Sequence, residues 1–304
     1  PEAVLSPSRC ECGACGKPLF LAPGEPLTGL SAASYEHPLD ARALAAFKAV
    51  PGAGALLRAK IAALDERSLR SLCRATCVEC GPQQFPPLVA SLDAARSALG
   101  ITLPVSLFVG ESPFLNAATA GVKEPIVVLQ AALVDALDEP ALRAVLGHEL
   151  GHVQAEHATY LSLASLLARG VGLSDLGALV TLPLQLALAK WSRCAELTCD
   201  RASLLAVRDL GAVLSVLITL AGGARAPASF AGRVDLGAYV LQVRRLAEAE
   251  AGSAFDGLLG ALHALDRSHP FVAWRVMHLV EWVERGNYLD LLAGDHAPLA
   301  VAPA

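Results

Sequence analysis

Residues 148–152 read His-Glu-Leu-Gly-His, and this short run constrains the chain more than any other feature. Two imidazoles four apart share one face of an α-helix, about one turn apart, so both ring Nε2 atoms can reach one metal ion. A carboxylate directly after the first His completes the HExxH pattern of zinc peptidases. Glu149 is rotated roughly 100° from His148 around the helix, which places it beside the metal rather than on it. Zinc acidifies a bound water to a pKa of about 7, and a neighbouring carboxylate can take the proton as that water attacks a carbonyl. The chemistry requires a helix here, and the flanking residues supply one. Leu142, Val145, Leu146, Leu150 and Val153 make an apolar stripe past the histidines, and Asp138-Glu139-Pro140 is a helix start with acids and Pro in the first turn.

Catalytic zinc takes three protein ligands and keeps one position open. Three downstream residues have suitable chemistry. His157 comes nine residues after His148, whereas the metzincin arrangement needs its third His at ten and a Gly three before it; Ala158 and Ala155 stand there instead. Glu156 lies about 12 Å along the same helix from His148, at about 1.5 Å per residue, too far to share its ion. Glu196 sits in a second helical segment able to pack antiparallel against the first. Asp200, one turn further on, is spaced to accept a hydrogen bond from the outer nitrogen of a ligating His. Spacing alone does not separate this arrangement from a solvated acidic face paired with Arg193 and Arg201.

The segment WSRCAELTCDRASL over 191–204 resembles the ExxxD element of the HtpX-like and CAAX-prenyl-protease-like zinc metallopeptidases, the Ste-type gluzincins. LFVGESPFLNAATAG, with Asn116-Ala117, is similar to that family's strand followed by Asn-Ala. IVVLQAALVDALDEPALRAVLGHELGH is similar to its edge strand, short helix and HExxH helix. Ser268-His269-Pro270 with Arg275 resembles its Ser/Thr-His-Pro…Arg element, and YEHPLDARALAAFKAVPGAGALL and GPQQFPPL resemble the N-terminal part of soluble bacterial members. The resemblance runs over 35–285. It implies a zinc metalloendopeptidase with the ion on His148, His152 and Glu196 and with Glu149 as general base. Family members commonly carry Ala where this chain has Cys199, a substitution that a small buried thiol should tolerate.

The eight cysteines raise a second metal question. Cys12-Gly-Ala-Cys15-Gly and Cys77-Val-Glu-Cys80-Gly are two CxxCG runs, each able to aim two thiolates at one ion from a tight turn. Together Cys12, Cys15, Cys77 and Cys80 make a candidate structural zinc site, although their separation far exceeds the about 15–20 residues usual in a zinc ribbon. Cys10 and Cys73 lie close enough to substitute, and Cys194 and Cys199 read as packing residues. The expected cofactors are one catalytic Zn²⁺ and one structural Zn²⁺.

Composition bounds the rest. A formal net charge of −5 with 17% charged residues and no basic run excludes a phosphate-backbone binder, so no nucleic-acid partner is expected. The mean hydropathy of +0.48 is high. Yet the apolar stretch 161–189 is interrupted by Arg169, Asp175 and Pro183, and the run at 212–221 is half the about 20 residues a span needs. Buried helices and a cytoplasmic location are the expectation, with membrane association as the alternative.

The fold class read from the pattern is α+β and mainly helical, with a small sheet packed on the HExxH helix. Three units are expected: 1–85, a zinc-ribbon-like subdomain with helices over 39–72 broken at Pro51-Gly52; 86–290, the metallopeptidase domain; and 291–304, a tail. Residues 86–100 read as a helix, 101–109 as a strand, and Ile126–Gln130 as a second strand at the sheet edge. That edge, represented by Ile126, Val127 and Val128 with Asn116, is the expected seat for an extended peptide or unfolded protein substrate, which adds as another strand. His269 is the candidate donor to the developing oxyanion or a regulatory metal contact, and Arg275 a partner for an acid such as Asp200. A zinc-stabilised interaction or chaperone-like module with little peptidase activity is the alternative, but it gives no reason for a base beside the metal.

Overall fold

The computed structural model describes residues 26–27, 29–54, 57, 66–168, 175–221, 235–250 and 271–294. In chain order the elements are α1 (Ala32–Tyr35), α2 (Pro38–Ala49), α3 (Glu66–Thr76), β1 (Cys77–Glu79), α4 (Pro86–Ala98), β2 (Ser106–Gly110), β3 (Ala117–Ala120) and β4 (Ile126–Gln130). There follow α5 (Ala131–Ala136), α6 (Glu139–Gln154), α7 (His157–Ala168), α8 (Asp175–Val207), α9 (Leu210–Leu220), α10 (Leu236–Glu250), α11 (Val272–Glu284) and α12 (Asn287–Leu292). This is the mainly helical α+β class that the sequence pattern indicates.

The HExxH helix α6 begins where its sequence dictates. Asp138 caps it, its carboxylate accepting from the Ala141 amide at 3.1 Å, and Pro140 sits in the first turn. It ends at Ala155, after which Glu156 adopts a left-handed φ of 55° and turns the chain directly into α7. Helix α6 packs on α8 at unusually close range. A Cβ built on Gly147 would lie 2.6 Å from the Ala206 Cβ, and one on Gly151 would lie 2.8 Å from the Ala202 Cβ. Glycine is needed at both positions so that the two backbones can approach. Ser203 completes the seam by donating to the Ala144 carbonyl at 2.7 Å.

The sheet has the order β1-β2-β4-β3, with β2 and β4 parallel and the two outer pairs antiparallel. Leu107, Val109, Val127 and Leu129 face the main core with Leu142, Leu146 and Leu150 of α6, while Phe108 and Ile126 face Cys73 of α3. The central strands are therefore covered on both faces. This corrects one expectation: Ile126, Val127 and Val128 lie in an interior strand, and the edge beside α6 is β3, residues Ala117–Ala120, directly after Asn116. The physical reason was visible in the composition of β4. A continuous β-branched run without polar alternation is what a strand buried on both faces requires, whereas an edge needs one wettable face.

The described part of 1–85 does not stand apart. Leu27, Leu30 and Tyr35 enter the main core, β1 is a strand of the sheet, and Ala43 and Phe47 of α2 pack with Leu163, Leu188 and Trp191. Packing is thus continuous across residue 85. Arg201 of α8 ties this region down by donating to the carbonyls of Tyr35 and Glu36, both at 3.1 Å. Among the described residues no helix is long and apolar enough to cross a membrane. Val213, Leu214, Val216 and Leu217 of α9, within the second apolar run, are buried in the main core.

Candidate metal centre

Spacing on α6 puts His148 and His152 one above the other, with ring centroids 5.1 Å apart. Antiparallel packing of α8 then brings Glu196 up to both. Glu196 Oε2 lies 3.4 Å from His148 Nε2, and Oε1 lies 3.5 Å from His152 Nε2. Two ligands of one tetrahedral zinc, bonded at about 2.0–2.1 Å, stand about 3.3–3.4 Å apart. Each His–Glu196 separation is thus close to that of two ligands on one zinc ion.

The other nitrogen of each ring is engaged. His148 Nδ1 lies 3.2 Å from Asp200 Oδ1. Arg275 holds Asp200 with a two-pronged grip, Nε to Oδ2 at 2.8 Å and Nη2 to Oδ1, and its Nη1 lies 3.3 Å from Glu196 Oε2. His152 Nδ1 lies 3.1 Å from His157 Nδ1. With each Nδ1 turned to one of these partners, the Nε2 atoms are the ring atoms that face Glu196 and would face an ion. The Arg275 guanidinium is shared by the buried Asp200 and Glu196, and Glu149 is buried as well.

Burial disfavours charge on His148, but its hydrogen bonds to Asp200 and Glu196 outweigh burial and push its pKa up to about 9. For His152 burial wins, and its pKa lies below the usual value despite Glu196. Burial alone would raise Asp200; the Arg275 charge and hydrogen bonds hold it below the usual range instead.

Among the described residues, His148, His152 and Cys199 also form one group whose ligand atoms lie within 4.8 Å of one another. The Cys199 Sγ is 3.7 Å from His157 Nδ1, which places it at the Nδ1 end of His152 rather than at the Nε2 end that faces Glu196. Burial pushes the thiol well above its usual pKa, and the nearby Glu196 and Asp40 charges push it the same way. A protonated thiol is a poor ligand. Glu196 is the acid whose carboxylate meets both Nε2 atoms.

Glu149 is buried beside the pair, and Thr119 on the edge strand donates to its Oε2 at 2.6 Å. Nothing in the sequence singled Thr119 out. Its only signal was its place in the run after Asn116. A cleft of about 570 Å³ opens over the centre, lined by the polar His148, Glu149, Glu196 and Asn116 and by the apolar Val213, Leu217 and Val272.

Other expected site residues fall elsewhere. Ser268, His269 and Pro270 lie outside the described residues, as do Cys12 and Cys15. Cys77 belongs to β1, opposite Gly110, and packs with Cys73 and Phe108; Cys80, whose amide donates to the Leu107 carbonyl, packs against the main core. Cys77–Glu79 is thus a strand with Cys80 just past its end, and the two thiols pack against different clusters.

Comparison with known proteins agrees with the geometry. The plastoglobule-localized metallopeptidase 48, chloroplastic, of Arabidopsis thaliana is 32% identical over 266 residues, covering 86% of this chain and 76% of that protein. No solved structure matches. Residues 83–283 match the family described as Peptidase family M48, and that span holds every part of the centre described above. This chain belongs to peptidase family M48 and is a metallopeptidase.

Proposed function

We propose that the protein is a zinc endopeptidase in which His148, His152 and Glu196 hold the ion and Glu149 is the general base. The observation that carries this reading is the placement of one Glu196 carboxylate against both Nε2 atoms at 3.4 and 3.5 Å. When bound, zinc supplies a Lewis acid that acidifies water and polarises a carbonyl. The remaining steps belong to the chain's own side chains. Glu149 takes the proton from the attacking water and delivers it to the leaving amine, with Thr119 holding the carboxylate in place through Oε2. Asp200 and Arg275 fix His148 and Glu196, so that donors rather than protons face the ion.

The substrate backbone would add to β3, an edge strand of the sheet among the described residues, whose Ala117, Ala118 and Ala120 side chains leave room for a peptide. The apolar wall of the cleft, Val213, Leu217 and Val272, would receive a hydrophobic side chain next to the scissile bond. The test is turnover of an unfolded casein-like substrate by purified protein, before chelation, after it, and after zinc is restored. Loss and recovery of internal cleavages, read by mass spectrometry, is the expected result. Activity that survives chelation, or trimming confined to chain ends, overturns the reading.

A further inference from the structure

Behind His152, on the side away from Glu196, a chain of polar groups runs through the interior to the N-terminal region. We infer that Asp40 and His157 are positioning residues that lock His152 in the tautomer whose Nε2 lone pair faces the metal position. The inference rests on the reading of His152 as a ligand.

The polarity of the chain can be followed from its far end. The backbone amide of His37 donates to Thr198 Oγ1 at 3.0 Å, so the Thr198 hydroxyl directs its own proton onward. It donates to Asp40 Oδ2 at 2.6 Å. The same Oδ2 lies 3.2 Å from His157 Nε2. A carboxylate only accepts, so Nε2 of His157 carries the proton and, in the neutral ring, Nδ1 carries the lone pair. His157 Nδ1 is 3.1 Å from His152 Nδ1, which must therefore be the donor. The Cys199 Sγ, 3.7 Å from His157 Nδ1, is a second, weak donor to the same lone pair and is consistent with this direction. With its proton on Nδ1, His152 presents a bare Nε2 towards Glu196 Oε1.

Asp40 and Thr198 are fully buried, and His157 and His152 are 2% and 4% exposed, so water does not compete for any of these bonds. His148 receives the same treatment from Asp200 directly. His152 receives it at one remove, with an imidazole as relay. The left-handed turn at Glu156 makes the relay possible: it ends α6 and starts α7 at His157, which folds back so that its ring meets both His152 and Trp191 edge to face.

The experiment uses the full chain, stripped of metal, with zinc alone titrated against a chromophoric competitor. Asp40→Leu, with the same number and branching of side-chain heavy atoms, removes the acceptor that sets the relay. The expected result is zinc binding weaker by about 10–100-fold, the usual cost of losing an outer partner of a ligating His. Asp40→Asn should recover most of the affinity. Its carbonyl can stay at the Oδ2 position, and the amide falls at Oδ1, which has no hydrogen bond among the described residues. Nitrogen-15 spectra of the metal-free protein should place the His152 proton on Nδ1 in the parent and in Asp40→Asn, and shift it towards Nε2 in Asp40→Leu. A merely structural role would lower the metal-free melting point while leaving affinity and tautomer unchanged, and that result overturns the inference. If Asp40→Leu does not fold, His157→Gln, which keeps an acceptor for His152, is compared with His157→Leu, which does not. Equal zinc affinities in that pair also overturn it. His152→Ala separates the two levels: if it binds zinc as the parent does, the ligand reading itself fails.

Discussion

Two short ligand-rich runs in this chain, His-Glu-Leu-Gly-His and Cys-Val-Glu-Cys, lie on different backbones. The first lies on a helix, where residues four apart share a face, and its two rings stand 5.1 Å apart around a common position. The second lies on and just past a strand, where residues three apart point to opposite faces. Its two thiols enter different clusters, Cys77 with Phe108 and Cys80 with the main core. A metal motif is a statement about side-chain directions, and the element that carries it decides whether those directions converge.

The largest expected effect falls on the helix. Glu149→Gln keeps the ligands and the volume but removes the base, and turnover should fall by at least about 10²-fold while zinc content stays at the parent level. Metal analysis and rate measurement on one preparation check both halves. An active variant would show that α6 supplies ligands without supplying the base.

Next in size is the contrast between the acid and the thiol on α8. Glu196→Ala should weaken zinc binding by more than about 10²-fold, beyond what an outer partner costs, whereas Cys199→Ala should leave it near the parent value. Competitive zinc titration reads both. The reverse pattern would make Cys199 the third ligand, since its sulfur also lies within the 4.8 Å group of His148 and His152.

How much of this was legible in the sequence depended on whether the signal was periodic or topological. The α6 stripe, its Asp138 cap and the His pair are local and periodic, and the structure places them as the pattern indicates. That Glu196 and Asp200 face α6 could not follow from spacing, because it depends on the Gly147–Ala206 and Gly151–Ala202 seam, which two separate segments build together. The order of the strands is hidden in the sequence because β4 carries the strong apolar signal while the edge, Ala117–Ala120, has almost none. Asp40 and Thr198 were invisible for a further reason. A buried polar pair 158 residues apart has no sequence period at all.

The seam gives a prediction in which two effects oppose each other. In a helix Ala is preferred to Gly by about 0.8–1.0 kcal/mol. An added methyl at Gly151 would however lie 2.8 Å from the Ala202 Cβ and 3.1 Å from the Cys199 Cα, the latter backbone that cannot step aside. Overpacking of this kind costs about 1–3 kcal/mol, so Gly151→Ala should be destabilising on balance, and more so if α8 must shift. Urea unfolding decides the sign. A more stable variant would mean that the helices have slack and that their close approach does not set the Glu196 position.

A smaller effect is expected where α2 meets α11. Burial holds the His37 ring down to a pKa of about 2, with Arg201, His278 and Arg42 pushing the same way against a weaker opposing pull from Asp200. The fold thus favours neutral His37. Its contribution is complete above the unfolded value of about 6.5 and is lost progressively as pH falls below that. His37→Asn should flatten the acid limb of the stability profile, because Asn also accepts at the helix start where His37 Nδ1 now accepts from the Leu39 amide at 3.1 Å. An acid limb as steep as the parent's would assign the acid sensitivity to other groups.

The smallest expected effect tests the strand side of the comparison. Cysteines bind zinc as thiolates. Burial, with the Glu79 charge adding to it, pushes the Cys80 thiol up to about 11, so at neutral pH it stays protonated and packs as a small apolar group. Cys77 opposes Gly110 across the β1–β2 pair, and its sulfur would lie only 3.2 Å from a Cβ built there. Turning either thiol towards the other would break the pairing that also holds the Cys80 amide on the Leu107 carbonyl at 2.8 Å. Replacing both by Ser should therefore leave the number of zinc equivalents unchanged, with a stability loss within about 1–3 kcal/mol from placing two hydroxyls in half-buried positions. Metal analysis of the parent and the double variant, prepared side by side, is the measurement. Loss of one equivalent in the variant would mean that β1 leaves the sheet to form a turn, and that a cysteine site competes with the strand for the same four residues.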